Sequence, residues 1–305
     1  MATSATEPAA LSRVPARWTA DLALAIVALI WGATFVIVKQ ALVEISTMYF
    51  LAVRFSLASV CMFLMFMPAL RRARRPEIWR GLRGGFAAGI FLWLGYVLQS
   101  FGLKYTTAGN SGFLTGLYIV LVPLISAAVY RRWPQSRELG GIAIATAGMV
   151  VMTVPGLDSH LRLNRGDLLT IGCAVAFACH LLTLGYFSQR EFFPAVALGQ
   201  IASTAVLSAL CLTVEPPKAI WSGTVIWAIC MTAVFATALA FALQTWAQQY
   251  TTATRTALIF ALEPVFALAA AIVIGGERAT AAAISGGALI LAGILAVELK
   301  PARTA

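Results

Sequence analysis

Charge is what this chain has least of. Acidic and basic residues together make up 11% of its 305 residues, against 60% apolar ones. A soluble domain needs roughly 25% charged residues to cover its surface. With less than half of that, a water-bathed globule is excluded, and most of the outer surface must face lipid. Histidine occurs twice and cysteine five times. Cys61, Cys173, Cys179, Cys211 and Cys230 all lie inside apolar runs and form no CxxC pair. They read as small packing residues and exclude a sequence-local metal or redox site. Also missing are HExxH, GxSxG, a phosphate-cradling P-loop and paired aspartates inside apolar runs, so hydrolytic or nucleotide-driven chemistry lacks its residues. The serine of "GNSGF" has no histidine or acid at a matching depth. The expectation is of no enzyme, no cofactor and no metal.

What is present is a succession of long apolar runs. Ten are visible, at about 22–42, 47–69, 82–102, 107–130, 138–155, 167–187, 194–214, 224–246, 252–274 and 280–298, each near the roughly 20 residues that cross a bilayer as a helix. The fold class expected is an all-α integral membrane protein of ten transmembrane helices. The polar, Ala/Pro-rich stretch before Asp21 has no signal-peptide core, so the first run reads as an uncleaved span. The net charge of +10 is explained by its distribution rather than by nucleic acid. With the N-terminus inside, fifteen of the 22 Lys and Arg residues fall in inner segments, "RRARRPEIW" among them, and six fall outside. That bias orients membrane proteins. It predicts two cytoplasmic termini. The membrane is expected to be the inner membrane of a bacterium, with the lipid bilayer and a small-molecule substrate as partners. No nucleic acid and no obligate protein partner are expected.

The chain also repeats itself. A shift of 145 lays Tyr105-Thr106-Thr107-Ala108 on Tyr250-Thr251-Thr252-Ala253 and Leu98-Gln99 on Leu243-Gln244. A shift of 146 lays Asp21 on Asp167, Trp31 on Phe177 and Arg54 on Gln200. The unit holds five spans. Five is odd, so the second copy enters the membrane from the opposite side, and the expected architecture is two inverted five-helix repeats around a central cavity. Inverted repeats are the usual build of transporters that alternate access around a midplane site. The expected organisation is a tail at 1–20, repeats at 21–155 and 156–299, and a tail at 300–305.

Three phrases carry a family resemblance. "WGATFVIVK" resembles the opening of the EamA family in the drug/metabolite transporter superfamily. "YTTAGNSGFLTGLYIVLVPL" resembles that family's fourth span, and "ALIFALEPVFALAAA", with Glu263-Pro264, its ninth. The likeness covers about residues 20–299. It implies ten helices, a cavity between the halves, and export of small metabolites such as amino acids. It does not specify a substrate.

Polar residues inside a bilayer are costly and usually face a cavity or a partner. Ser111, Thr115 and Tyr118 share one helical face, and so do their repeat mates Thr256, Phe260 and Glu263. These two faces are read as substrate lining, against hydrogen bonding between packed helices. Gln99 and Gln244 sit at matching depth and join the set. So do the aromatic residues Trp31, Phe35, Trp93, Tyr96 and Phe177, against a lipid-facing reading. His180 falls on Thr34 under the repeat, which adds both. Glu263 and His180 are the candidates for proton coupling; Glu263 also reads as a counter-ion for a substrate amine, against a structural bond to Arg255 or to a neighbouring helix, and His180 as a donor to a carboxylate substrate, against a satisfied buried residue. Arg54 reads as snorkelling or as a structural ion pair, against pairing with a substrate carboxylate. Gly112 and Gly116 read as helix-packing positions, as do Gly81, Gly85 and Gly89. The function this points to is an alternating-access secondary exporter of small organic metabolites, amino acids foremost and aromatic or apolar ones among them. The alternatives are nucleosides or cationic drugs as solutes and, less favoured, an intramembrane enzyme.

Overall fold

The structure is a computed structural model that describes residues 17–106, 108–131, 133–153, 164–273 and 280–298. The two tails, the junction between the repeats and the side chain of Phe35 lie outside the described residues. The described chain is helical. Its helices are α1 (Arg17–Ala41), α2 (Thr47–Arg72), α3 (Arg75–Gly102), α4 (Ala108–Gly116), α5 (Tyr118–Tyr130), α6 (Ser136–Thr153), α7 (Arg165–Ser188), α8 (Phe193–Leu210), α9 (Gly223–Ala233), α10 (Ala240–Ala247), α11 (Ala253–Phe260), α12 (Glu263–Val273) and α13 (Ala281–Glu298). A π-helical segment, Val234–Leu239, joins α9 to α10.

Seven stretches among the described residues are long and apolar enough to cross a membrane: α2, α3, Ser111–Tyr130, α7, Phe193–Thr213, Gly223–Ala247 and Ala253–Ala270. α1 and α13 are apolar over shorter stretches, Trp18–Thr34 and Ala281–Val297. α6 opens on Ser136-Arg137-Glu138 and carries three glycines, which dilutes its hydropathy. Of the ten spans expected, seven meet this measure among the described residues.

Contacts fix the direction of each rod. Let the face where α1 begins be the proximal face. Asp21 near the start of α1 bonds Arg255 at the start of α11, and Gly32 lies against Glu263 and Ala267 of α12. That rod therefore runs parallel to α1. At the distal face the α1–α2 turn pairs with the loop before α9, through Ser46 N–H to Lys218 carbonyl at 2.8 Å and Ile220 N–H to Glu44 carbonyl at 2.9 Å. Asp167 at the start of α7 accepts from Thr106 Oγ1 at 2.6 Å, beyond the distal end of α3. The second repeat thus begins on the face opposite the first.

The pseudo-two-fold is visible in glycine contacts between α6 and α13. A Cβ on Gly141 would stand 2.7 Å from the Gly293 carbonyl oxygen, and one on Gly148 would stand 2.6 Å from that of Gly286. The shift of 145 converts the first pair into the second. Small residues let the backbones touch, which is how helices gain packing energy in lipid.

α3 and α8 run parallel and close the proximal side. Gly81 meets Ala195, Gly85 meets Val196 and Gly199, and Gly89 meets Gln200 and Ser203. Their repeat counterparts on α9 and the π segment, Ile226, Cys230 and Val234, are exposed. Among the described residues the two faces are therefore unequal: glycine-mediated packing seals the proximal side, and no glycines stand at the equivalent positions on the distal side. Gly116 fits its expected packing role, with Met149 Sδ at 2.4 Å from its would-be Cβ, but Gly112 has nothing within 4 Å. Gly112 is exposed on the outer face of α4.

Candidate functional site

The midplane site starts from two helix breaks. α4 stops at Gly116 and α5 resumes at Tyr118; α11 stops at Phe260 and α12 resumes at Glu263. Leu117 and Leu262 are repeat mates, so the breaks are symmetry-related. At the second, Pro264 lacks the N–H that would bond the Phe260 carbonyl. Short bonds tighten the turn instead, Ala261 N–H to Leu258 and Leu262 N–H to Ile259. Tyr118 and Glu263 are thereby placed at the first residues of two half-helices. Gly32 lets α1 come within touching distance of the Glu263 backbone, which brings Trp31 and Thr34 to the same place.

Between the halves lies a cavity of ≈ 130 Å³. An apolar hole of about 150 Å³ takes a benzene-sized molecule, so this one suits the ring or apolar chain of a small metabolite. Trp31, Thr34, Tyr96, Gln99, Thr115, Tyr118, Phe177, His180, Gln244, Phe260 and Glu263, all singled out in the sequence, line it. The lining continues past Leu51 to Leu42 and Leu103, at the distal ends of α1 and α3, and the α3–α8 seal lies on the other side. Three other sequence candidates lie off the wall. Ser111 is buried with its Oγ 3.5 Å from Thr170 Oγ1 on α7. Thr256 is buried and donates to the Thr252 carbonyl at 3.0 Å. Both sit near the starts of α4 and α11, a turn or more from the breaks; Ser111 meets a neighbouring helix, whereas Thr256 returns its hydroxyl to the first turn of its own helix. Trp93 is only partly buried and its indole lies outside the lining.

The walls are aromatic. Trp31 stacks in tilted geometry on Phe241 at 5.3 Å and Phe260 at 5.0 Å, and Tyr96 meets Phe177 edge-on at 5.6 Å. Trp31 Nε1 donates to the Ala236 carbonyl at 2.8 Å, inside the π segment. Such segments disturb the helical bonding pattern and recur at functional sites. Gln99 donates to Thr115 at 3.2 Å. Thr34 returns its hydroxyl to the Ile30 carbonyl of its own helix at 2.8 Å.

His180 is held by a chain. Thr245 Oγ1 donates to the Phe241 carbonyl at 2.6 Å, so it accepts from Gln200 Nε2 at 2.9 Å. That orients the Gln200 amide, leaving Oε1 to accept from His180 Nε2 at 2.8 Å. One ring nitrogen of His180 is thus committed to structure.

Two wall groups are not committed. Glu263 makes no hydrogen bond and no ion pair among the described residues, and Gln244, fully buried, has no partner for either amide atom. Arg255, the structural partner considered for Glu263, engages Asp21 instead, at 2.9 and 2.7 Å. The pair is largely buried, 7% and 17% exposed in the side chains, and Asp21 is a counter-charge to Arg255.

Arg54 is in the wall, against the favoured expectation of snorkelling or a structural ion pair. It is 4% exposed, lines the cavity, and donates from Nε to Thr237 Oγ1 at 2.8 Å. Its guanidinium lies 5.2 Å from the Tyr96 ring centroid and 5.5 Å from that of Phe55. It does not snorkel, because α2 packs against the π segment and Thr237 holds the side chain inward. Of the other lining residues missed in the sequence, Leu42, Leu51 and Leu103 are apolar and carry no signal that separates them from lipid-facing leucines, while Ser100 is polar and buried.

A model of the EamA-like transporter family matches residues 18–154 and again 164–299. The chain belongs to the EamA-like transporter family. Among curated relatives, an uncharacterised transporter of Archaeoglobus fulgidus is 38% identical over 193 residues, 63% of this chain and 58% of that one. A probable amino-acid metabolite efflux pump of Salmonella typhimurium is 27% identical over 175 residues, 56% of this chain and 55% of the pump. Its Escherichia coli counterpart is 25% identical over 160 residues, 50% and 49%. These alignments span about half to three-fifths of the relatives' length. A crystal structure superposes with a TM-score of 0.75 at 20% identity, covering 93% of this chain and 98% of that one, a likeness of fold.

Proposed function

We propose that the protein is a secondary transporter that exports small organic metabolites, amino acids with aromatic or apolar side chains foremost, by alternating access. The observation that carries the reading is the cavity between the two repeats, aromatic in its walls, with a few unsatisfied polar groups and one sealed side. Such a pocket takes an apolar body and fixes its polar end. Membership of the family and the names of the Salmonella and Escherichia relatives support an outward direction. With both termini cytoplasmic, in a bacterial inner membrane, the distal face is the outside and the structure is the outward-facing state. The halves then pivot so that the proximal seal opens as the distal side closes. A second reading, export of a cationic amphiphile, is favoured by Glu263, an acid facing the cavity without a partner.

The test is release from proteoliposomes loaded with a panel of amino acids, nucleosides and amphipathic cations, with and without a pH gradient. Selective loss of aromatic and apolar amino acids is expected. Retention of every amino acid alongside loss of the cations replaces the first reading with the second. If protons are coupled, Glu263 is the group best placed to carry them, since His180 is already bonded to Gln200. Glu263→Gln is then expected to keep measurable release and lose at least tenfold of its stimulation by the gradient. Unchanged stimulation in that variant removes the coupling role.

A further inference from the structure

Arg54 and Glu263 line one cavity and are not joined to each other; the ion pairs among the described residues are Arg80–Glu191, Lys104–Glu215 and Arg255–Asp21. A buried charge at this depth is expensive unless something compensates it. Arg54 has five N–H donors. Nε is taken by Thr237, and Nη2 reaches the Tyr96 hydroxyl only at 3.4 Å, which leaves the rest of the fork without an acceptor among the described residues. The planar fork matches a carboxylate in bidentate geometry. Glu263 offers a carboxylate that bonds nothing. Gln244, buried and lining the same cavity, keeps an amide N–H₂ and a C=O unpartnered. A buried polar group without a partner calls for an explanation, and a polar solute in the cavity supplies one.

We propose that the cavity recognises a zwitterion by its two charges, Arg54 taking the α-carboxylate and Glu263 the α-ammonium, with Gln244 bonding the same end of the solute. The inference rests on the transport reading above and names what that site discriminates. The two charged groups come from different repeats, α2 and α12, so a solute bridging them ties the halves together. The aromatic walls formed by Trp31, Phe177, Phe241 and Phe260 receive the side chain. An amine without a carboxylate leaves Arg54 uncompensated, and a carboxylate without an amine leaves Glu263 so. The repeat mate of Arg54 is Gln200, which spends its amide on His180 and Thr245. The charge pair therefore breaks the symmetry of the repeat, a difference a mere brace between helices does not require.

Three probes separate the two ends: phenylalanine, phenethylamine, which lacks the carboxylate, and 3-phenylpropionate, which lacks the amine. Transport of each is measured in proteoliposomes with the wild-type protein, Arg54→Gln, Arg54→Lys and Glu263→Gln. Wild type is expected to move phenylalanine at least tenfold faster than either analogue. Arg54→Gln is expected to lose at least tenfold on phenylalanine and nothing on phenethylamine. Glu263→Gln is expected to lose at least tenfold on phenylalanine and nothing on 3-phenylpropionate. Arg54→Lys, which keeps the charge without the fork, falls between. An equal loss on phenylalanine and phenethylamine in Arg54→Gln makes Arg54 a brace and overturns the inference. Should that variant not fold, the wild type still decides: equal rates for phenylalanine and phenethylamine overturn the inference while leaving amino-acid transport standing. A wild type that moves no amino acid removes the transport reading and the inference with it.

Discussion

Gly85→Leu is expected to abolish transport, while Gly112→Leu leaves it within about twofold of wild type. A Cβ at position 85 would stand 2.3 Å from the Val196 carbonyl oxygen and 2.9 Å from the Gln200 amide nitrogen. These are backbone atoms that cannot swing aside. Inserting a side chain into such a contact costs about 3 kcal/mol, the upper end of overpacking penalties. The contact belongs to the proximal seal, so the cost falls on the state in which α3 and α8 are closed. At 1.4 kcal/mol per factor of ten, 3 kcal/mol shifts the balance roughly 100-fold away from that state. An alternating cycle that cannot close one side does not turn over. Gly112 has open space around it, so the same substitution meets nothing. Efflux from proteoliposomes containing each variant, with thermal unfolding in detergent as the folding control, checks the pair. Equal activity of the two variants contradicts the role given to the seal.

The second large effect is expected at Asp21. Its carboxylate takes both the Nε and Nη2 donors of Arg255, and the pair is largely buried. Removing one member of a buried pair costs about 3–5 kcal/mol, because the other charge stays buried without its counter-charge. Asp21→Asn is therefore expected to destabilise the protein by that amount in detergent unfolding. The double variant Asp21→Asn/Arg255→Gln is expected to recover a substantial part of the loss, since it removes the stranded charge as well. Additive losses in the double variant contradict the pairing. The Lys104–Glu215 pair at the distal face, 41% and 20% exposed, belongs to the class of surface pairs worth about 1 kcal/mol or less, and it sets the scale against which the buried pair stands out.

The cavity was legible in the sequence to the extent that the repeat was. Thr115 with Phe260, Tyr118 with Glu263, Gln99 with Gln244 and Thr34 with His180 are pairs under the shift, and each pair meets in one wall because a two-fold axis runs through it. The same logic carried too far at Ser111 and Thr256. Those positions obey the helical spacing from Tyr118 and Glu263, but the spacing assumes an unbroken helix, and each rod breaks between the two. Arg54 was misread because depth along a helix says nothing about which way it faces. What turns it inward is Thr237 in a π segment whose sequence, Val-Phe-Ala-Thr-Ala-Leu, reads as ordinary apolar helix. The Asp21–Arg255 bond joins residues 234 apart and has no local pattern. Asp21 and Asp167 do superimpose under the shift, and both acids engage the start of a broken rod or the turn before it. That coincidence was a usable signal. The intramembrane-enzyme alternative has no place left, given the family to which the chain belongs.

The central claim is that one cavity is reached from one face at a time. The direct measurement is thiol labelling of a single cysteine at Thr34→Cys, in a protein whose five native cysteines are replaced, using membrane-impermeant reagents applied to each face in turn. Without substrate, labelling is expected from the distal face alone, since the lining runs out to Leu42 and Leu103 on that side while glycine packing closes the other. A saturating transported amino acid is expected to lower distal labelling and make the same cysteine reachable from the proximal face. Labelling from both faces at equal rates, with or without substrate, contradicts alternating access and describes a pore.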